Sequence, residues 1–222
     1  PGRAMFEIVN PLVAKALNEN DFKGLETLYK KSSLNLIIVS GLFFLLINLN
    51  VNPFYNLILD SSYSTAVLVV LIISVSKLIL MSFGCGPAIL ATAKFYKITL
   101  PFSLLMAVSV YFLNDKLIDL YSINGAALST LIVIFVFTFL KIIYLKYKLK
   151  IQPYSSSTLK VFILITILFF ITDSVDFNHN YLVEIIVKSV SVSAVYIILI
   201  YAMGISNEIN SVIKKILSKF SF

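Results

Sequence analysis

The sequence predicts an all-α protein, a polytopic membrane helix bundle. Hydrophobic residues make up 59% of the 222 residues, and charged residues make up only 13%. A soluble globular domain has about 45–50% apolar and about 25% charged residues. A soluble core of this size cannot bury so much apolar surface. The composition therefore excludes a soluble enzyme, a disordered chain and a nucleic-acid-binding module.

Six apolar segments approach or reach the length that crosses a bilayer. A helix of about 20 residues spans a hydrocarbon core of about 30 Å. The runs are continuous rather than alternating, which favours helices over barrel strands. The predicted spans are Ser33–Asn52, Ser64–Ala91, Ile98–Asn114, Ile123–Leu145, Leu159–Thr172 and Tyr181–Met203.

Basic and non-basic connections alternate along the chain. Lysines are concentrated in residues 15–31, 94–97, 146–160 and 214–219, whereas residues 51–63 and 173–180 contain none. Basic loops remain on the cytoplasmic side of a membrane. We therefore expect six spans, with the N-terminal stretch and the C-terminus both in the cytoplasm.

The predicted organisation has three parts. Residues 1–32 are the end of a transmembrane helix and a cytoplasmic amphipathic segment, residues 33–150 form four transmembrane helices, and residues 151–222 form two more helices and a cytoplasmic tail. Apolar residues recur at helical spacing in the amphipathic segment and in the tail. This spacing predicts membrane-surface helices near anionic lipid, with dedicated docking helices as the alternative. Because the chain begins within a helix-like stretch, we expect it to be a C-terminal piece of a larger membrane protein.

Lys77 is a charged residue near the middle of the second predicted span. A charge at that depth costs about 2.5–3.5 kcal/mol on insertion scales, and such residues usually face a bundle interior or a water-filled cavity. Lys77 is therefore a candidate substrate-binding residue that receives a phosphate. The alternative is a structural ion pair with an acidic residue of another span.

Two charged residues of the first helix are further substrate-binding candidates. Arg3 and Glu7 are four residues apart, so they can pair with each other or line a cavity together with Lys77. Glu184 and Lys188 have the same spacing in the last span, where an interfacial ion pair is the preferred interpretation.

Gly84, Gly86 and Pro87 follow Lys77 in the same predicted span. Two glycines and a proline so close together weaken a helical ladder. They predict a hinge or broken helix beside a transport path. The alternative is close helix packing through small residues.

The sequence contains no motif for catalysis. The only histidine, His179, falls in an outer loop, and the only cysteine, Cys85, falls in a span. No catalytic or metal-binding motif is present. We therefore expect no enzyme activity, no catalytic residue, no metal and no cofactor.

Four blocks, in order, resemble the C-terminal half of polysaccharide flippases. These belong to the multidrug/oligosaccharidyl-lipid/polysaccharide exporter superfamily, and the most similar branch serves lipopolysaccharide biosynthesis in Bacteroidetes-type bacteria. The blocks are Pro1–Ser33, which ends in LYKKSS, Ser76–Lys97, with SFGCGP at its centre, Leu117–Ile132, with INGAALST, and Lys146–Ser155, KYKLKIQPYS. The sequence departs from the family pattern at Gly86, where Asn is frequent, and at Asp119 and Ser122, where Pro and Gly are frequent.

The resemblance implies a fold and a function. It implies a protein of about fourteen spans in two lobes, of which this chain is the C-terminal lobe. The function implied is flipping of an undecaprenyl-pyrophosphate-linked oligosaccharide across the bacterial inner membrane by alternating access, for surface polysaccharide or lipopolysaccharide biosynthesis. The implied partners are the lipid-linked oligosaccharide, membrane lipids and the N-terminal lobe, without nucleic acid. The alternative is an ion-coupled exporter of small molecules related to multidrug-and-toxin-extrusion proteins.

Overall fold

The computed structural model describes residues 2–58, 66–92, 95–174 and 180–220. Within these ranges the chain is helical and has no strand, which confirms the predicted all-α class. The helices are α1 (Gly2–Asn18), α2 (Phe22–Ile58), α3 (Ala66–Ser82), α4 (Gly86–Ala91), α5 (Tyr96–Leu149), α6 (Ser156–Asp173), α7 (Tyr181–Ala202) and α8 (Asn207–Phe220).

Four helices, α2, α5, α6 and α7, are long and apolar enough to cross a membrane. Helix α3 is also apolar but has only 17 residues. The chain is therefore a membrane protein of helical type, as its composition predicts.

Helix α5 consists of two antiparallel arms rather than one straight rod. The arms comprise residues 96–121 and 123–149, and they meet at Ser122, whose φ of 52° and ψ of −132° are not helical. The rings of Phe102 and Phe137 stack edge to face with centroids 6.3 Å apart, so the second arm runs back along the first. The third and fourth predicted spans accordingly lie on separate arms of α5.

Helix α2 is the central helix and contacts α1, α3, α6 and α7. Gly41 lets α6 and α7 approach it closely, because a Cβ there would collide with Ile165 and would lie 2.9 Å from the hydroxyl of Tyr196. That hydroxyl donates a hydrogen bond of 2.9 Å to the backbone carbonyl of Ile38. The middle of α2 is thus held against the last two spans.

The predicted amphipathic surface segment is instead the beginning of α2. Its apolar residues Leu25 and Tyr29 are fully buried, in a cluster with Val13, Ile89 and Leu145 from three other helices. The segment is helical, as its spacing predicts, but its apolar face packs on protein rather than on lipid. Helix α2 then continues without a break into the first span.

The basic connections meet at one end of the bundle. The hydroxyls of Ser82 and Tyr154 lie 3.0 Å apart, which joins the end of α3 to the α5–α6 connection, and the ion pair of Lys31 with Glu208 joins α8 to the start of α2. Burial raises the pKa of Tyr154, and its hydrogen bond with Ser82 opposes that rise. Exposed lysines at this end are Lys23, Lys31, Lys97, Lys146, Lys148, Lys150, Lys160, Lys214 and Lys215.

The other end of the same helices is more acidic, with exposed carboxylates at Asp115, Asp119 and Asp173. A bundle with one basic end is what the predicted topology requires. That the basic end and the C-terminus face the cytoplasm remains a prediction.

Replacing Ser122 with glycine should stabilise the protein by about 1 kcal/mol. An L-residue with φ 52° and ψ −132° carries backbone strain of about 1–3 kcal/mol, which glycine avoids at some entropic cost. Thermal unfolding in detergent, followed by circular dichroism, should show a higher Tm for Ser122→Gly. Ser122→Ala keeps the Cβ atom and serves as the control that should show no such rise. An unchanged or lower Tm for Ser122→Gly would contradict the assignment of strain.

Candidate functional site

A groove lies between α2 and α3 in the described part of the chain. Its volume is about 630 Å³, and Gly2 at the beginning of α1 is one of the residues that line it. Its walls are almost entirely apolar. The lining residues are Gly2, Leu36, Ser40, Phe43, Phe44, Ile47, Val69, Val70, Ile73, Ser74, Lys77, Leu78 and Met81.

A second cavity of about 310 Å³ continues the groove along the same two helices. Ile47 and Val70 line both cavities, and the second one reaches Tyr55. The helical rise from Leu36 to Tyr55 amounts to about 28 Å, close to the thickness of a bilayer core of about 30 Å. The two cavities together therefore extend about 28 Å along α2.

Lys77 is the one charged side chain that lines this groove within the described residues. Its neighbours Ser76 and Leu78 are buried against the bundle, whereas Lys77 itself is exposed. Among the described residues, no carboxylate oxygen lies within 4.0 Å of its ammonium nitrogen. The described acidic side chains therefore do not provide the structural ion pair that was the alternative role for Lys77.

The structure places Lys77 in the second half of α3, five residues before the helix ends at Ser82. The Ser33 hydroxyl donates to the Ser82 carbonyl at 2.7 Å, so the end of α3 lies level with the start of the apolar run of α2. The rise from Lys77 to Ser82 is about 8 Å. The sequence predicts a span that continues to Ala91 with Lys77 near its middle, whereas α3 ends at Ser82.

The helix break predicted from the glycines and the proline is present. After α3, residues 83–85 form a turn, and Pro87 lies in the first turn of the short helix α4. Gly84 has a φ of +55°, and a Cβ atom there would lie 2.7 Å from the backbone nitrogen of Ser33. Gly86 packs directly under the ring of Phe83. The glycines thus serve close packing as well as the break, and movement about this hinge remains a prediction.

Two serines of α2 satisfy backbone groups at the break. The Cys85 N–H donates to the Ser32 hydroxyl at 2.9 Å, and the Ser33 hydroxyl donates to the Ser82 carbonyl. Backbone groups freed by a broken helix need such partners where water is scarce. The turn, and with it the end of α3 that follows Lys77, is held on α2.

Arg3 and Glu7 are not brought together with Lys77 in the described structure. The side chain of Arg3 lies outside the described part of the chain. Glu7 is exposed on α1 and does not line the groove, although Gly2 does. Their substrate-binding role remains a prediction. His179 also lies outside the described residues, and the described ones contain no cluster of three metal-binding side chains.

The predicted pair of Glu184 and Lys188 forms and is more buried than an interfacial pair. Its N···O distance is 2.7 Å, and the side chains of Lys188 and Glu184 are only 10% and 12% exposed. On the facing side, the Asn50 amide donates to the Ser189 hydroxyl at 3.0 Å. Sequence reasoning missed Asn50, although a carboxamide inside an apolar run was a signal for it. This polar cluster lies beside the second cavity, which Asn50 lines.

Comparison with family models, with curated proteins and with solved structures yields no match for this chain. The fold defines a class, a helical membrane protein, and the comparisons place it in no family.

Gly84→Ala should lower the free energy of unfolding by about 2–4 kcal/mol. A positive φ costs an L-residue about 1–2 kcal/mol, and the new methyl group would also collide with the backbone of α2. Gly204→Ala is the matched control, because Gly204 has a φ of +59° but no atom within 4 Å of a Cβ. Tm values in detergent should fall more for Gly84→Ala than for Gly204→Ala. Equal losses would contradict the tight contact with α2.

Breaking the buried ion pair should also destabilise the protein. Lys188→Met leaves the Glu184 carboxylate nearly buried without its cation, and loss of one partner of such a pair costs about 3–5 kcal/mol. The double variant Glu184→Gln/Lys188→Met should recover most of that loss. Chemical unfolding in detergent measures both. A double variant as unstable as the single one would show that the pair is not coupled.

Proposed function

We propose that the chain is the C-terminal lobe of a bacterial flippase for undecaprenyl-pyrophosphate-linked oligosaccharide, acting in surface polysaccharide or lipopolysaccharide biosynthesis. The observation that supports this proposal is the α2–α3 groove with Lys77 in its wall. The groove combines a long apolar surface with one positive charge. An anionic lipid has the two complementary features, a long apolar chain and a negatively charged headgroup.

The apolar walls suit a polyprenyl chain. Phe43, Ile47 and Val70 are among the side chains that present apolar surface along the groove. Burial of apolar surface stabilises by about 25 cal/mol per Å², although a lipid-exposed chain gains less because it leaves a hydrocarbon solvent. The groove therefore guides such a chain and does not hold it permanently, as a carrier requires.

Lys77 suits the phosphate groups. An ammonium group binds phosphate as a point charge through charge-assisted hydrogen bonds. Its position about 8 Å inside the basic end is one that a lipid headgroup can reach on entering from that side. In the proposed topology the basic end lies on the cytoplasmic side, where the substrate is made. The C-terminus lies on the same side.

The other parts of the proposal follow from the resemblance. A second, N-terminal lobe would face this groove, and rocking of the two lobes would expose Lys77 to each side in turn. The break at Gly84 is the proposed hinge. Coupling to an ion gradient belongs to the family's mechanism, and the membrane is proposed to be the bacterial inner membrane.

Complementation of a flippase-deficient strain tests the function. The complete gene should restore surface glycan, and Lys77→Ala should lower export about tenfold, because a hydrogen bond to a charged group contributes about 1.5–3 kcal/mol. Lipid-linked precursor should then accumulate in the cytoplasmic leaflet. Lys77→Arg should retain most export because it keeps the positive charge.

Lys141→Ala is the matched control, since Lys141 lies in a span but does not line the groove. It should export normally at equal membrane abundance. Full export by Lys77→Ala would contradict the role of Lys77. If the wild-type gene restores no glycan but lowers cellular uptake of a small amphipathic dye, the exporter alternative is supported instead.

A further inference from the structure

A groove distinct from the two cavities between α2 and α3 lies on another side of α2, between α2, α7 and α8. Its volume is about 390 Å³. The walls include Ile38, Val39 and Leu42 of α2, Ile197 of α7, and Val212 of α8. None of these five residues lines the groove that contains Lys77. The α2–α7–α8 groove is therefore a separate feature, and its role does not depend on the proposed transport function.

At the polar end of this groove, the lining residue Glu208 forms an ion pair with Lys31, which does not itself line the groove. The ammonium of Lys31 lies 2.7 Å from a carboxylate oxygen of Glu208, and the side chains are 56% and 42% exposed. Beside them, the Ser206 hydroxyl donates to the Asn35 side-chain oxygen at 2.7 Å. The hydrogen bond from Lys31 is the main reason why the pKa of Glu208 lies below its usual range. Both side chains are accessible to a ligand at this end of the groove.

The groove leads from the headgroup level into the hydrocarbon. Lys31 lies two residues before Ser33, where the apolar run of α2 begins. The helical rise from Lys31 to Leu42 is about 16 Å, which is about half of a bilayer core. A molecule with its polar group at Lys31 and Glu208 can thus extend one apolar chain along α2 to mid-membrane.

We propose that the α2–α7–α8 groove binds a membrane phospholipid with a phosphoethanolamine headgroup. Its phosphate accepts hydrogen bonds from Lys31, its primary ammonium donates to Glu208, and one acyl chain lies on the apolar floor. Charge complementarity selects this headgroup. A purely anionic headgroup would meet the Glu208 carboxylate, and a choline headgroup has no N–H with which to donate to it.

The bound lipid would hold α8 at the membrane surface. Helix α8 contacts the rest of the described chain mainly through the groove walls and the Lys31–Glu208 pair. A lipid that bridges both charges adds contacts to α2 and α8 together. The lipid composition of the membrane would therefore affect how firmly α8 is held against α2.

Native mass spectrometry of the detergent-solubilised protein tests the headgroup preference. The protein is titrated with phosphatidylethanolamine, phosphatidylcholine and phosphatidylglycerol that carry identical acyl chains. Phosphatidylethanolamine should bind about three- to fivefold more tightly than the other two, since contacts with exposed charges are weak. Glu208→Gln and Lys31→Gln should each remove this preference.

Glu26→Gln is the matched control. Glu26 pairs with Lys30 at 2.7 Å on the same helix, but neither residue lines the groove or pairs with a residue that lines it. It should keep the preference for phosphatidylethanolamine. Because Glu208→Gln can also loosen α8, Ile197→Trp provides a second variant. It leaves the ion pair intact and fills the floor, so it should weaken phosphatidylethanolamine binding at least threefold.

Several outcomes would overturn the proposal. Equal binding of the three lipids would remove the headgroup selectivity, and strongest binding of phosphatidylglycerol would point to the exposed lysines instead. Normal phosphatidylethanolamine binding by Ile197→Trp would place the lipid elsewhere. A lipid-free dimer that Ile197→Trp abolishes would show that a second copy of the chain occupies the groove.

Discussion

The contact between the turn after α3 and two serines of α2 is the constraint on which the rest of the structure depends. An apolar helix that stops at Ser82 leaves backbone groups that lipid cannot satisfy. Ser32 and Ser33 provide the partners, and Gly84 brings the two backbones close enough for those bonds to form. A polar side chain and a missing Cβ atom thus permit a helix break inside a largely apolar chain.

This contact determines which side chains face each other further along α2 and α3. With Ser82 fixed opposite Ser33, the antiparallel course of the two helices aligns Lys77 with the groove wall formed by Ser40 and Phe43. Only in this register do Lys77 and the apolar side chains line the same groove. A helix shifted by two residues would turn Lys77 to a different face.

The charged residues near helix α2 differ between its side toward α3 and its side toward α8. Toward α3 it faces one lysine without a carboxylate nearby among the described residues, whereas toward α8 it presents Lys31 already paired with Glu208. An unpaired cation suits an anionic ligand, and a paired one suits a zwitterion. The same helix therefore supports the proposed substrate groove and the proposed lipid groove without the two competing for one ligand.

The amino-acid sequence by itself determined the class of protein, the apolar segments and the break at Gly84, because hydropathy and backbone preference are local properties. It also singled out Lys77 and the pair of Glu184 and Lys188, since charges in apolar runs are conspicuous. Only the tertiary structure decided where α3 ends after Lys77, the antiparallel arms of α5 and the pairing of Lys31 with Glu208. These features depend on which distant segments of the chain come into contact. Packing and the hydrogen bonding of backbone groups across the whole bundle decide those contacts, and a local sequence pattern does not contain that information.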